Sequence, residues 1–266
     1  MFELKIQASE SDSSSKFNAE ALNLLKKAIE VVHELVEDAD IQITDKGINI
    51  QALDNIHVCL INIFLSKNLF FSYRCDKNLV LGIKLKVLNK IMKTIKVSKN
   101  DVFELNCEDD GNVLSLKYES SRYVLSNDFK LYKFDIESYT LPSMDYTASI
   151  TFNLEDFMLL SKSVGTFDEF IVFDAKKDSF TFNQVSDVGK SSLVLKPNDE
   201  NGVVVNVSDP ICKEISMKYI NIMSKLQGLS DKVSIHIGEN HPIFFEFSME
   251  EYGYIRFYVA AKKDDH

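Results

Sequence analysis

Near its start the chain reads Phe17-Asn18-Ala19-Glu20-Ala21-Leu22-Asn23-Leu24-Leu25-Lys26-Lys27, and beyond its middle Phe152-Asn153-Leu154-Glu155-Asp156-Phe157-Met158-Leu159-Leu160-Ser161-Lys162. Six of the eleven aligned positions are identical across an offset of 135 residues, about half of the 266-residue chain. A weaker pair, in which Asn89 and Lys93 match Asn221 and Lys225, keeps nearly the same offset. A period this long exceeds that of a solenoid repeat. We therefore predict two copies of one domain fold, related by a pseudo-symmetry axis and suited to building a ring. Convergence of two amphipathic helices is the alternative.

The composition is that of a folded protein with room for two domains. Hydrophobic residues make up 45% and charged residues 26%, and the formal net charge of −10 argues against nucleic-acid binding if that charge is evenly spread. The cysteines lack C-x-x-C spacing, so we expect reduced, mostly buried thiols of an intracellular protein. They are Cys59, Cys75, Cys107 and Cys212. No signal-peptide core or membrane-spanning apolar run is present, and we expect no membrane contact.

Alternation of apolar and polar residues predicts strands over most of the chain, for example at 48–52, 103–107, 179–182 and 233–237. Turn residues separate these strands at 45–47, 109–112, 198–202 and 239–242. Helical periodicity is confined to about 19–37, 83–95, 154–164 and 211–226. Two helices per half are too few to cover both faces of a parallel sheet. We therefore predict an α+β fold with antiparallel sheets.

The predicted division is an N-terminal domain at 1–130, a connecting loop at 131–146 and a C-terminal domain at 147–266. The connector is too apolar for a free linker, so some of its side chains should lie against a domain surface or face a partner. Its apolar residues are Leu131, Tyr132, Phe134, Ile136, Tyr139 and Leu141. The serine-rich stretch 9–15 indicates a solvated loop.

Lysines are concentrated on the predicted helices of this acidic chain. Residues 82–100 contain six lysines and no acidic residue: Lys84, Lys86, Lys90, Lys93, Lys96 and Lys99. Helical spacing places Lys86, Asn89, Lys90 and Lys93 opposite the apolar face. The other helices add Lys26, Lys27, Lys162, Lys218 and Lys225. Lysine suits phosphate contact without base reading, so we predict binding to the backbone of duplex DNA. Simple solvation is the alternative for any single helix.

Motifs for catalysis are absent, since neither G-x-x-x-x-G-K-[ST], G-x-G-x-x-G nor H-E-x-x-H occurs in the sequence. Asp54 with His57, and Asp38 with Asp40, are close enough in sequence to share a metal, but turns explain these residues better. We therefore predict no enzyme activity, no metal and no cofactor.

Several blocks of sequence form a characteristic set. They are GINIQALDNIHV at 47–58, YRCDKNL at 73–79, LGI at 81–83, NKIMK at 89–93, KL at 130–131, LP at 141–142, MKYIN at 217–221 and FYVAAK at 257–262. Together these blocks resemble the proliferating cell nuclear antigen family of eukaryotic sliding clamps. The resemblance covers nearly the whole chain. Its most specific part is the Tyr-Arg-Cys-Asp block with the lysine-bearing helix that follows.

The resemblance implies a homotrimeric ring of six domains, with helices lining a pore for duplex DNA and antiparallel sheets outside. Such a nuclear processivity factor tethers DNA polymerases, clamp loader, nuclease and ligase through short peptides with a Gln and paired aromatics. The DNA-facing residues carried over are Lys26, Lys27, Lys90, Lys93, Lys162, Lys218 and Lys225. The partner-peptide groove would use Leu53, His57, Val58, Leu60, Tyr139, Leu141, Pro142, Pro242, Tyr258 and Ala260. A modifiable lysine of the family corresponds to Lys177, beside Lys176.

The chain departs from the family pattern at several positions. His33 and Leu159 stand where the family has basic residues, so the pore should be less positive. Ile56 and Ala261 alter the groove. Ring closure should come from edge strands at about 121–129 and 190–196 that pair between subunits. A subunit of a heterotrimeric checkpoint-type clamp is the main alternative. An enzyme of unknown chemistry and an interaction module that never touches DNA are the others.

Overall fold

The computed structural model describes residues 1–7, 15–96, 101–134, 139–142, 144–164, 167–198, 200 and 202–262, with residues 15–19 as backbone alone. Some sequence-based assignments therefore fall partly or wholly outside the described residues. They include the serine-rich stretch 9–15, the connector at 135–138 and 143, Lys99, and the turn at 198–202 at residues 199 and 201.

The described chain passes twice through one order of elements: a strand, a helix, five strands, a second helix and three strands. The first copy contains β1 (Phe2–Gln7), α1 (Ser15–Leu35), β2 (Asp38–Thr44), β3 (Gly47–Leu53), β4 (Cys59–Ser66), β5 (Ser72–Cys75), β6 (Leu79–Lys84), α2 (Leu85–Thr94), β7 (Val102–Cys107), β8 (Val113–Glu119) and β9 (Val124–Lys130). The second contains β10 (Ala148–Asn153), α3 (Leu154–Leu159), β11 (Phe170–Lys176), β12 (Ser179–Ser186), β13 (Gly189–Leu195), β14 (Val204–Val207), β15 (Ile211–Ser216), α4 (Met217–Met223), β16 (Lys232–Ile237), β17 (Ile243–Ser248) and β18 (Gly253–Val259). The predicted duplication is confirmed.

Strand pairing repeats as faithfully as element order. In the first copy, neighbouring strands follow β5-β1-β7-β8-β9 and β6-β2-β3-β4. In the second they follow β14-β10-β16-β17-β18 and β15-β11-β12-β13. Every pairing with a described register is antiparallel, for example Phe2 opposite Cys107 and Ala148 opposite Ile237. These registers confirm the α+β class with antiparallel sheets. Alternating side chains bury one face of each strand, as antiparallel sheets allow.

The chain forms two compact units, each assembled from several segments. Unit 1 comprises Met1–Asn55, Ile61–Tyr139 and Met249–Ile255. Unit 2 comprises Ile56–Leu60, Thr140–Ser248 and Arg256–His266. The sequence-based boundaries at residues 130 and 147 remain a prediction.

The fourth predicted helix is wrong in its first third, because Ile211–Ser216 forms β15 and pairs with β11. The helix begins at Met217, where the Ser216 hydroxyl accepts the Lys218 N–H at 3.3 Å and caps the first turn. Ile215 is buried as predicted, but from a strand. The third helix also differs from its prediction, because α3 continues as a π-helical turn over Leu160–Val164.

The two units have different cores. In unit 1, branched aliphatic side chains from α1, α2 and the sheets enclose a small cavity of about 30 Å³, among them Leu25, Ile29, Ile41 and Leu88. Unit 2 is packed by phenylalanines, and the Phe173 and Phe182 rings meet edge to face at 4.9 Å between centroids. Within the described residues, no helix is long and apolar enough to cross a membrane.

Candidate DNA-facing helices and partner groove

The two helices of unit 1 pack against each other and are joined by a lysine. Lys26 Nζ on α1 donates to the carbonyl of Ile95, just after α2, at 2.7 Å. Burial lowers the pKa of Lys26 and Lys27, and the nearby Glu30 carboxylate opposes this effect. Both lysines are half-buried.

The α2 lysines are exposed as predicted, and one of them is paired. Lys86, Lys90 and Lys93 all face solvent. Lys93 Nζ lies 2.8 Å from a carboxylate oxygen of Glu30 on α1. The assignment of Asn89 to this exposed row is wrong, because Asn89 is only 6% exposed. Its Oδ1 has no hydrogen-bond partner among the described residues.

Lys84 stands apart from the α2 row. It ends β6 and occupies the cap position before the helix. Its Nζ lies 5.4 Å from the centroid of the Tyr132 ring, within cation–π range. The connector therefore meets unit 1 here, and the Tyr132 N–H donates to the Gly82 carbonyl at 2.9 Å. A Cβ at Gly82 would come within 2.2 Å of the Tyr132 carbonyl oxygen, so this approach requires glycine.

Unit 2 repeats the arrangement of two adjacent helices. Ser161, in the π-helical turn after α3, donates its hydroxyl to Asn221 Oδ1 on α4 at 3.2 Å. Lys162 and Lys218 are exposed, and Lys225 is half-buried in the turn after α4. Lys218 and Asn221, spaced i and i+3, share one side of α4, and Lys225 follows in the 3₁₀ turn after it.

Two departures from the family pattern are visible on these helices. Leu159 is 50% exposed on α3, beside the segment that carries Lys162. His33 is half-buried in the last turn of α1, and its Nδ1 has no hydrogen-bond partner among the described residues. Both positions lack a lysine, which makes these helices less basic at those points.

Unit 2 holds most of the residues assigned to the partner groove. The Ala260 N–H donates to the Val58 carbonyl at 2.8 Å, which joins the end of β18 to the turn before β4. His57 is exposed with a positive φ of 58°, Val58 is half-buried and Leu60 is buried. Leu141, Pro142, Pro242 and Tyr258 each keep part of their surface in solvent. Ile56 is 65% exposed on the same turn.

Three aromatic residues that the sequence patterns did not identify form a series of ring contacts that begins at Tyr258. The Phe244 ring stacks on Tyr258 at 4.8 Å with an interplanar angle of 11°. His236 stacks on Phe244 at 5.1 Å, and Tyr146 lies 5.6 Å from His236. Burial raises the pKa of Tyr146 to about 12 and lowers the pKa of His236. Outward positions on β16 and β17 that carry rings rather than polar groups were the available signal.

The other two groove residues belong to unit 1. Leu53 ends β3 and is half-buried. Tyr139 is held by the side chain of Gln51, which donates to its carbonyl at 2.9 Å and accepts from its N–H at 2.7 Å. The connector backbone is therefore held to β3 at Tyr139, and the placement of the connector's apolar side chains stays a prediction.

Both strands predicted to close a ring lie at sheet edges. β9 ends one sheet of unit 1 and β13 ends one sheet of unit 2. Val124 on β9 is 56% exposed and Val194 on β13 is 48% exposed. Unpaired edge groups beside exposed apolar side chains are suited to strand addition.

Lys177 lies exposed in the turn between β11 and β12. Its neighbour Lys176 is paired with Asp174 at 2.6 Å. Among the described residues, no three or more His, Cys, Asp or Glu side chains cluster to hold a metal ion.

Comparison with known proteins agrees with this architecture. Residues 15–140 match the family described as proliferating cell nuclear antigen, N-terminal domain, and residues 140–262 match its C-terminal domain. The proliferating cell nuclear antigen of Chaetomium thermophilum is 32% identical over 255 residues, covering 92% of this chain and 97% of the relative. Proliferating cell nuclear antigen 2 of Drosophila melanogaster is 27% identical over 244 residues, covering 91% and 95%. With both domains matched in order and the duplicated fold in place, the chain belongs to the proliferating cell nuclear antigen family of sliding clamps.

Proposed function

We propose that this chain forms a homotrimeric ring that encircles duplex DNA and acts as a DNA polymerase processivity factor in the nucleus. The observation that carries the proposal is the repeated pair of adjacent helices, one pair in each unit, with exposed lysines on an acidic chain. Lysines that contact phosphates without reading bases allow the ring to slide. The net charge of −10 keeps the rest of the surface from adhering to DNA.

The lysines proposed to face DNA are Lys26, Lys27, Lys84, Lys86, Lys90, Lys93, Lys162, Lys218 and Lys225. They are not equivalent, because Lys93 is paired with Glu30 and Lys84 lies over Tyr132. Lys218 likewise lies over Tyr219, at 5.2 Å from the ring centroid. We expect Lys86, Lys90 and Lys162, which are exposed on the helices, to dominate phosphate contact.

A processivity assay tests the proposal. Replacing Lys90, Lys93, Lys218 and Lys225 with alanine should shorten clamp-dependent polymerase products. The matched control replaces four exposed lysines away from the helices: Lys46, Lys67, Lys77 and Lys133. If both variants support wild-type product lengths, the DNA-facing assignment is wrong.

Ring closure in this proposal joins β9 of one subunit to β13 of the next. A heterologous contact of this kind closes into a ring when the rotation between subunits is right. Light scattering across a dilution series should give a mass near three times 30.4 kDa. A monomer at every concentration would favour the alternative, a subunit of a heterotrimeric checkpoint-type clamp.

The groove residues are proposed to bind short peptides with a Gln and paired aromatics, carried by DNA polymerases, the clamp loader, a nuclease and a ligase. The support is the half-exposed aromatic surface that Tyr258 forms with Phe244 and His236 in unit 2. Aromatic side chains provide large contact area in peptide recognition. No catalytic activity is part of the proposal, and Lys177 is proposed as a modification site because its side chain is exposed in a turn.

A further inference from the structure

Gln51 makes a two-bond contact with the backbone of the connector. Its Nε2 donates to the Tyr139 carbonyl at 2.9 Å, and its Oε1 accepts from the Tyr139 N–H at 2.7 Å. Both distances are normal for good hydrogen bonds. One side-chain amide thus satisfies both backbone groups of a single residue, as a neighbouring strand would.

This contact joins one predicted groove residue, Tyr139, to the strand that carries another, Leu53. Gln51 and Leu53 lie two residues apart on β3, so their side chains project from the same face about 7 Å apart. The two hydrogen bonds to Tyr139 therefore hold the connector backbone against the strand face that carries Leu53. Leu141 and Pro142 follow Tyr139 by two and three residues along the chain.

Asn49, the side-chain amide two residues before Gln51 on the same face of β3, has a different hydrogen-bond partner. Asn49 donates to Gln42 Oε1 on β2 at 3.1 Å, and it makes no hydrogen bond to the connector residues that the structure describes. Gln51 also borders a cavity of about 390 Å³ that Leu53, Asn55 and Phe134 help to line. Packing does not enclose the Gln51 side chain on every side, so its two hydrogen bonds set its orientation.

We propose that Gln51 is a positioning residue for partner binding: its amide fixes Tyr139 and so orders the connector before a peptide arrives. The inference rests on the proposed peptide groove. A segment already ordered loses less conformational entropy on binding, which raises affinity without any new contact to the peptide.

The test compares the full-length protein with Gln51→Leu, Gln51→Glu and the matched control Asn49→Leu. The probe is a synthetic peptide with one Gln and two adjacent aromatics, followed by fluorescence anisotropy. Gln51→Leu should weaken binding about tenfold, because two hydrogen bonds are lost. Gln51→Glu keeps the acceptor for the Tyr139 N–H and should weaken binding less. Asn49→Leu should stay within about twofold of wild type.

The hydrogen-exchange rate of the Tyr139 amide distinguishes a positioning role from a general effect on the fold. The Tyr139 amide should exchange faster in Gln51→Leu and keep its wild-type rate in Asn49→Leu, at unchanged melting temperature. Equal affinities for wild type and Gln51→Leu, or an equal loss in Asn49→Leu, would overturn the positioning role. If Gln51→Leu does not fold, a wild-type affinity in the near-isosteric Gln51→Glu overturns it. A peptide that fails to bind the wild-type protein would instead refute the proposed groove.

Discussion

Lys93 Nζ on α2 lies 2.8 Å from Oε1 of Glu30 on α1, so one of the lysines on this helix is paired with a carboxylate of its neighbour. Lys93 is half exposed and Glu30 about one quarter exposed, which leaves the pair open to solvent screening. The lysine-bearing face of α2 therefore carries less net positive charge than the sequence of the helix implies. Weak, partly neutralised contact is compatible with a ring held on DNA by topology rather than by affinity.

Removing the carboxylate should release Lys93. We expect Glu30→Gln to raise affinity for a duplex about two- to fivefold and to steepen the salt dependence by about one phosphate contact. Duplex binding measured by anisotropy over a series of salt concentrations checks this. Glu34→Gln makes the same change in net charge on the same helix, and should give the smaller effect. Equal effects of the two variants would show that only net charge matters.

Single alanine substitutions should rank the α2 lysines by their pairing. Lys90 is exposed, whereas Lys93 is held by Glu30. Lys90→Ala should therefore reduce duplex affinity more than Lys93→Ala, by about two- to threefold at low salt. The same anisotropy series decides the order. A larger loss from Lys93→Ala would mean that Glu30 releases Lys93 when DNA is present.

Sequence patterns identified the duplicated α+β fold because alternation and helical periodicity report directly on which face of an element is buried. The same patterns gave a wrong boundary where the apolar residues of a strand and of the helix that follows it continue one helical spacing. Ile215 and Tyr219 have helical spacing, yet Ser216 ends a strand and caps a helix between them. Asn89 has the spacing of the exposed lysines, but the packing of α2 buries it.

Contacts between residues far apart in the sequence could not be predicted from the sequence patterns. Nothing along the chain relates Glu30 to Lys93, or Gln51 to Tyr139, because these pairs form only when separate elements pack. The rings near Tyr258 were visible in the sequence as outward-facing aromatics, but their contacts were not. Phe244 and His236 fit an ordinary alternating strand, and only the sheet register places their rings side by side.

Charge at either edge strand should weaken the proposed ring. Val124→Asp on β9 or Val194→Asp on β13 puts a carboxylate where an apolar side chain would be buried between subunits, at a cost of about 2 kcal/mol or more per interface. The mass from light scattering should fall toward 30.4 kDa. Val188→Asp changes an 83% exposed valine at a turn and should leave the mass unchanged. Equal masses for all three variants would contradict closure through these edges.

Two tyrosines on β18 offer a matched comparison for the peptide groove. Tyr258 stacks on Phe244, and Tyr254 packs on Phe64 at 5.9 Å. Tyr258→Ala should reduce peptide affinity by about ten- to one hundredfold, as loss of a central aromatic contact does. Tyr254→Ala should leave affinity within about twofold. Calorimetric titration with the peptide distinguishes them, and an equal loss would point to a general effect on the strand.

Acid should destabilise the protein partly through His236. Burial lowers the pKa of His236, with the Glu246 carboxylate opposing the effect. The folded chain then binds a proton there less readily than the unfolded chain, so stability should fall as pH drops through the ordinary histidine pKa of 6.5. His236→Phe keeps a ring for the stack with Phe244 and removes the titrating group. Melting temperatures between pH 7.5 and 5.5 should therefore fall less in this variant than in the wild type. Carboxylates titrate alike in both proteins, so the difference isolates His236, and parallel curves would exclude its contribution.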